Sequence, residues 1–184
     1  MTCLNAYGKI FHIEKEMIII LTRLIKACNF YVSEWHLYAA MLPFVRDELK
    51  FENKVIIISQ DNLMVGMNQL VNKIDIKFYN ENGINDIKWI RDIDELDVSS
   101  SINPTDIFIQ GTEEYINEIN VFLDLKLKNV YREIRIINCY ELYDSNNSLY
   151  EILDKHNYVF NTGGLKQKEY VFPDYAESRL TRNC

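Results

Sequence analysis

The chain has 184 residues, 48% hydrophobic and 26% charged, with 27 acidic against 20 basic side chains and a formal net charge of -7. It is too apolar for a disordered segment, and with only 6 Gly and 3 Pro it is neither fibrous nor a linker. At roughly 100–200 residues per domain the length predicts one domain with its own core, and the acidic excess disfavours nucleic acid, whose affinity rests on phosphate contacts.

The first fifty residues read as two helices. Ile13, Met17, Ile20, Leu21, Leu24, Ile25 and Cys28 recur at three- and four-residue steps, which places them on one helix face. The longest apolar run, Met17 to Leu21, is far short of the roughly 20 residues a membrane span requires, and no signal-peptide cleavage pattern follows it. Ser33 suits an N-cap and Glu34 the positive end of a second helix. That helix carries Trp35, Tyr38, Met41, Leu42, Val45 and Leu49 on its apolar face, with a break or kink expected at Pro43.

From Lys54 the period changes. Val55-Ile56-Ile57-Ile58 is a β-branched run of the kind found in strands covered on both faces. A turn, Ser59-Gln60-Asp61-Asn62, leads to an amphipathic helix marked by Leu63, Met64, Met67, Leu70, Val71 and Ile74. A second strand is expected at 75–79 and a loop at 80–85, with 86–97 reading as a short strand or helical turn. A third strand lies at 106–109, a helix follows Gly111-Thr112, and a fourth strand spans Val130 to Ile137. Ser148 and Glu151 have capping-box spacing for a short helix ending near Lys155. The tail carries a Gly163-Gly164 turn and a strand at Tyr170-Val171-Phe172.

Strands alternating with helices predict βαβ units. The expected fold class is α/β: a Rossmann-like parallel sheet of about four strands, with helices on both faces, preceded by two N-terminal helices. The expected segments are 1–50, 51–157 and a tail 158–184, within one compact domain.

In such a sheet ligands bind beyond the carboxyl ends of the strands, where strand order reverses. The expected site is therefore formed by the turns after the first and third strands: Ser59, Gln60, Asp61 and Asn62 with Gln110, Gly111, Thr112 and Glu113. A dinucleotide site requires glycines in the first turn. Here that turn has none, Gly66 comes inside the helix, and Asp61 puts a carboxylate where a phosphate would rest. Glu113-Glu114 places anions at the second helix start. Asp61 and Asn62 read either as helix caps or as contacts to a hydroxyl-rich or cationic ligand.

The stretches Lys54-Val-Ile-Ile-Ile-Ser59, Ile93-Asp-Glu-Leu96, Thr105-Asp-Ile-Phe-Ile-Gln110, Tyr115-Ile-Asn-Glu-Ile119 and Lys128-Asn-Val130 together resemble the Rossmann-like modules attached to sugar-modifying enzymes and to FkbM-type methyltransferases. The resemblance covers about half the chain and implies the α/β fold and a setting in sugar or natural-product modification. The glycine-rich turn usual in those modules is missing, so no catalytic residue and no cofactor is carried over.

Other constellations are sparse. Cys3, Cys28, Cys139 and Cys184 show no disulfide or C-x-x-C spacing. Cys28 and Cys139 read as buried hydrophobes, and a reducing, cytoplasmic setting is expected. His12, His36 and His156 lack metal-ligand spacing and read as surface or half-buried residues. A cysteine nucleophile needs a nearby base, and Cys139 with His156 is a conceivable pairing in space, without a supporting motif. The basic residues Lys126, Lys128, Arg132 and Arg135, and Lys166 with Lys168, read as solvated faces. Tyr31, Trp35 and Tyr38 read as core.

The function expected on these grounds is a binding or accessory domain acting through a protein partner, a second copy of itself or a small ligand. The 12 Tyr and 9 Phe suit an association surface. The alternatives are a small enzyme with its site at the sheet's carboxyl edge and an acidic immunity or inhibitor protein. No metal, nucleic acid or membrane partner is expected.

Overall fold

The computed structural model describes residues 23–74, 86–97, 103–128, 130, 132–142 and 149–175. The elements in chain order are β1 (Arg23–Tyr31), α1 (Glu34–Lys50), β2 (Lys54–Ser59), α2 (Leu63–Ile74), β3 (Lys88–Ile90), a 3-10 turn (Ile93–Glu95), β4 (Thr105–Gln110), α3 (Glu113–Lys126), β5 (Glu133–Glu141), α4 (Leu149–Asp154), β6 (Tyr158–Asn161), β7 (Gly164–Gln167) and α5 (Lys168–Val171). The strands form one seven-stranded sheet in the order β3-β2-β4-β5-β1-β6-β7. Every described pairing is parallel except β6 with β7.

The continuous apolar runs of β2, β4 and β5 follow from their central position, because each is covered on both faces. Alternate residues enter two separate cores. Val55, Ile57, Phe108, Ile137 and Cys139 pack under α1 and α2. Ile56, Ile58, Ile107, Ile109, Ile134 and Ile136 pack under α3 and α4. Phe44, Phe108 and Phe160 tie α1 to the first face, with ring centroids 5.1 to 5.9 Å apart in edge-to-face contacts. Gly66 lets α2 approach α1, since a Cβ there would strike the Tyr38 ring.

The sheet corrects several sequence expectations. Among the described residues it has seven strands, not about four. Residues 23–31 form a strand, not the end of a first N-terminal helix; the earlier part of that expected helix lies outside the described residues. β1 runs between β5 and β6, and its polar side chains find partners there: Lys26 pairs with Asp124 of α3 at 2.8 Å, and Asn29 Nδ2 donates to the Phe160 carbonyl at 2.9 Å. α1 is present and capped by Ser33, whose hydroxyl accepts from the His36 N–H.

Pro43 does not break α1. It sits on the exposed side, as does Ala39, the residue whose carbonyl loses its donor, so that carbonyl can be hydrated. Leu37, Tyr38, Ala40, Met41, Leu42 and Val45 stay buried around it. At the other end, Tyr170-Val171-Phe172 is not a strand. α5 takes up Tyr170 and Val171, with Tyr170 81% exposed, while the tail's strands are β6 and β7 around Gly163-Gly164. Gly164 has φ +82, a conformation that favours glycine in a tight hairpin. The expected strand at 75–79, the loop at 80–85 and Ser148 lie outside the described residues.

Candidate functional site

Strand order reverses between β2 and β4. From β2 the chain crosses by α2 to β3 on one side, and from β4 it crosses by α3 to β5 on the other, with the two helices on opposite faces. This divergence opens a crevice at the carboxyl ends of β2 and β4, the usual ligand position in an open α/β sheet. A cleft of about 480 Å³ occupies it, lined by Ser59, Gln60, Asp61, Asn62, Arg91 and Tyr115.

The floor of the cleft is a hydrogen-bond network centred on Gln110, which is 3% exposed. Its amide nitrogen donates to Asp61 Oδ2 at 2.9 Å and to the Tyr31 hydroxyl at 2.9 Å. Its amide oxygen lies 2.8 Å from the Ser59 hydroxyl. That hydroxyl also lies close to the Asp61 carbonyl and has one proton to give to one of the two. Both hydrogens of the Gln110 amide are thus committed, which fixes its orientation and that of the Asp61 carboxylate. Burial pushes the Tyr31 phenol up to about 12, so Tyr31 is a neutral acceptor at any physiological pH. Gln110→Leu leaves the buried Tyr31 hydroxyl without that donor and releases the exposed Asp61 carboxylate to water, and a loss of about 1–3 kcal/mol is expected. Urea unfolding checks it, and a loss below about 0.5 kcal/mol would show that the network does not hold the turn.

The second turn closes against the first. Gln60 N–H donates to the Gln110 carbonyl at 2.9 Å, and Gln60 Oε1 accepts from the Thr112 N–H at 2.9 Å. Thr112 Oγ1 accepts from the Tyr115 N–H at 3.3 Å and so caps α3. Gly111 makes this closure possible, because a Cβ there would lie 2.6 Å from the Tyr115 ring and 2.8 Å from Gln60 Oε1. Two amides at the start of α3, those of Thr112 and Tyr115, are therefore already given to side chains of the protein itself.

Of the sequence-predicted residues, Ser59, Asp61 and Asn62 line the cleft, Gly111 and Thr112 buttress it, and Gln110 underlies it. Glu113 does not line it. Its carboxylate is 6% exposed and lies 3.5 Å from Lys155. Arg91 and Tyr115 line the cleft without having been singled out in the sequence. Tyr115 reads there as an apolar-face residue, and Arg91 gains meaning only once β3 is placed beside β2.

A second cavity of about 150 Å³ lies on the α3 face, lined by Lys26, Asn117, Asn120, Asn138, Tyr140, Lys155 and His156. His156 is 2% exposed, which corrects the surface or half-buried expectation. Its Nδ1 lies 2.7 Å from the Ile152 carbonyl, so the proton is assigned there, and Nε2 accepts from Asn138 Nδ2 at 2.9 Å. Asn138 Oδ1 accepts from Asn120 at 3.0 Å. Burial, reinforced by Lys26, Lys155 and Lys168, depresses the imidazole to about 4. Cys139 follows Asn138 on β5 and so points to the opposite face, which removes the Cys139–His156 pairing. Burial raises both Cys28, to about 12, and Cys139, leaving neither a ready nucleophile.

At the other edge of the sheet, Arg135 is not part of a solvated basic face. It bridges Asp106, 2.7 Å from Nε, and Glu48, 2.5 Å from Nη2, beneath the Phe44 ring. Asp106 is fully buried. Burial, with Glu48 and Glu133 adding to it, outweighs the guanidinium and raises this carboxyl to about 8.

Among the described residues no three His, Cys, Asp or Glu side chains converge as a metal site, and no helix is long and apolar enough to cross a membrane. No protein family, curated protein or solved structure is matched by the chain.

Proposed function

We propose that this is a ligand-binding α/β domain that takes a small hydroxyl-rich molecule, not a nucleotide, in the cleft between the ends of β2 and β4. The observation that supports this reading is the Gln110 network. It holds a carboxylate, Asp61, at the centre of the crevice, while Gln60 and Thr112 engage the Thr112 and Tyr115 amides at the start of α3, where Glu113 and Glu114 already add negative charge. A carboxylate accepts strongly from ligand hydroxyls and repels a diphosphate. Ser59 and Asn62 add short polar groups beside it, and the Tyr115 ring offers an apolar surface.

The test is a thermal-shift and calorimetric screen of the whole chain against neutral sugars, polyols, amino sugars and sugar acids, with ADP, UDP and S-adenosylmethionine as comparisons. A hydroxyl-rich compound is expected to raise the melting temperature by mass action. Asp61→Ala removes a charge-assisted hydrogen bond of about 1.5–3 kcal/mol, so affinity should fall about 10- to 150-fold. Tight binding of a nucleotide that survives Asp61→Ala, or a flat response to every sugar and polyol, overturns the reading.

A further inference from the structure

Granting that the cleft binds a hydroxyl-rich molecule, we infer that its ligand also carries one carboxylate, as a sugar acid does, and that Arg91 selects for it. The order of elements along the sheet edge sets the argument. β3, β2 and β4 are neighbours in that order, so Arg91, directly after β3, flanks the Ser59–Asn62 turn on one side. Tyr115, in the first turn of α3 after β4, flanks it on the other. The cleft therefore presents a guanidinium, then Asp61, Asn62 and Ser59, then an aromatic ring.

Arg91 is exposed and forms no ion pair among the described residues. A guanidinium presents two parallel N–H groups that match a carboxylate. Among the described residues it is the only Lys or Arg lining the cleft, and Asp61 offsets its charge. A ligand bearing one negative charge at the Arg91 end and hydroxyls toward Asp61 pairs both charged groups among the described lining residues. A phosphate ester carries nearly two charges at neutral pH, which meet one arginine and one opposing carboxylate. A neutral sugar leaves the arginine without a partner. The volume of about 480 Å³ lies in the lower part of the range for small-molecule sites and suits one or two sugar rings.

The experiment titrates the full chain with D-glucuronate, D-glucose and D-glucose 6-phosphate by calorimetry, backed by ligand-observed NMR for weak binding. D-Glucuronate is expected to bind at least ten-fold more tightly than the other two. Arg91→Gln is expected to remove that preference by weakening D-glucuronate far more than D-glucose, and Asp61→Asn to weaken both sugars together. Equal affinity for glucuronate and glucose, unaffected by Arg91→Gln, overturns the inference and leaves the hydroxyl-binding reading standing. Tighter binding of the phosphate ester overturns it as well. If all three probes fail while another neutral sugar or polyol of the wider screen binds, the carboxylate is dispensable and the inference is wrong. If nothing in that screen binds, the inference falls together with the reading it rests on.

Discussion

Arg135→Met is expected to lower the unfolding free energy by about 3–5 kcal/mol at pH 7. The side chain is the only cation in contact with both Asp106 and Glu48 among the described residues, and Asp106 has no access to water. Removing the guanidinium leaves two carboxyl groups in a site built around a charge. The loss should grow with pH, because the buried carboxyl is pushed up to about 8 and Arg135 is what makes its ionised form tolerable. In the intact protein the sign follows from the same shift. Asp106 binds its proton more tightly folded than unfolded, so its contribution is complete below its usual value of 3.8 and is lost as pH rises through about 8. Replacing Glu48, Asp106 and Arg135 together by apolar residues of similar volume should recover most of the loss. Urea titration of the single and triple variants at pH 6 and 8 measures this, and a single variant within 1 kcal/mol of the parent would remove the cluster from any stabilising role.

The second large effect belongs to His156. An imidazole depressed from 6.5 to about 4 by burial stabilises the fold fully above pH 6.5. That contribution is lost as pH falls toward 4, because the unfolded chain takes up the proton first. The shift corresponds to about 3 kcal/mol. His156 and Asp106 act in opposite directions between pH 4 and 6.5, so the wild-type profile alone is a poor readout. The difference in stability between the parent and His156→Gln cancels Asp106. It should change by about 3 kcal/mol in the parent's favour from pH 4 to 6.5 and level off above. A difference that does not vary across that window would mean that the ring is hydrated when charged.

The legible parts of the fold were those where one physical signal dominates. The β-branched runs of β2 and β4 and the amphipathic spacing of α2 and α3 each admit a single reading. β1 misleads because Leu24, Ile25 and Cys28 also fit a helical step. A central strand has no polar-apolar alternation to betray it when Lys26 and Asn29 find partners in Asp124 and the Phe160 carbonyl. The β6–β7 hairpin is short and ends in Lys166 and Gln167, so only its glycine turn stands out. The cleft was legible in part, since its position depends on strand order and its carboxylate on Asp61. The lock on that carboxylate, Gln110 to Tyr31, joins residues 79 positions apart, and no local pattern reveals it.

The placement of β1 has a consequence for how the protein is made. Asn29 and its acceptor, Phe160, are 131 positions apart, and β5, the strand that pairs with all of β1, is also late in the chain. Contacts of such long range slow folding, since the ordering entropy is spent before they form. During synthesis β1 would leave the ribosome well before either neighbour exists, with an apolar edge exposed on both sides. The nascent chain is thus expected to need shielding until β5 and β6 have emerged, whereas β2 and β4 acquire each other much sooner.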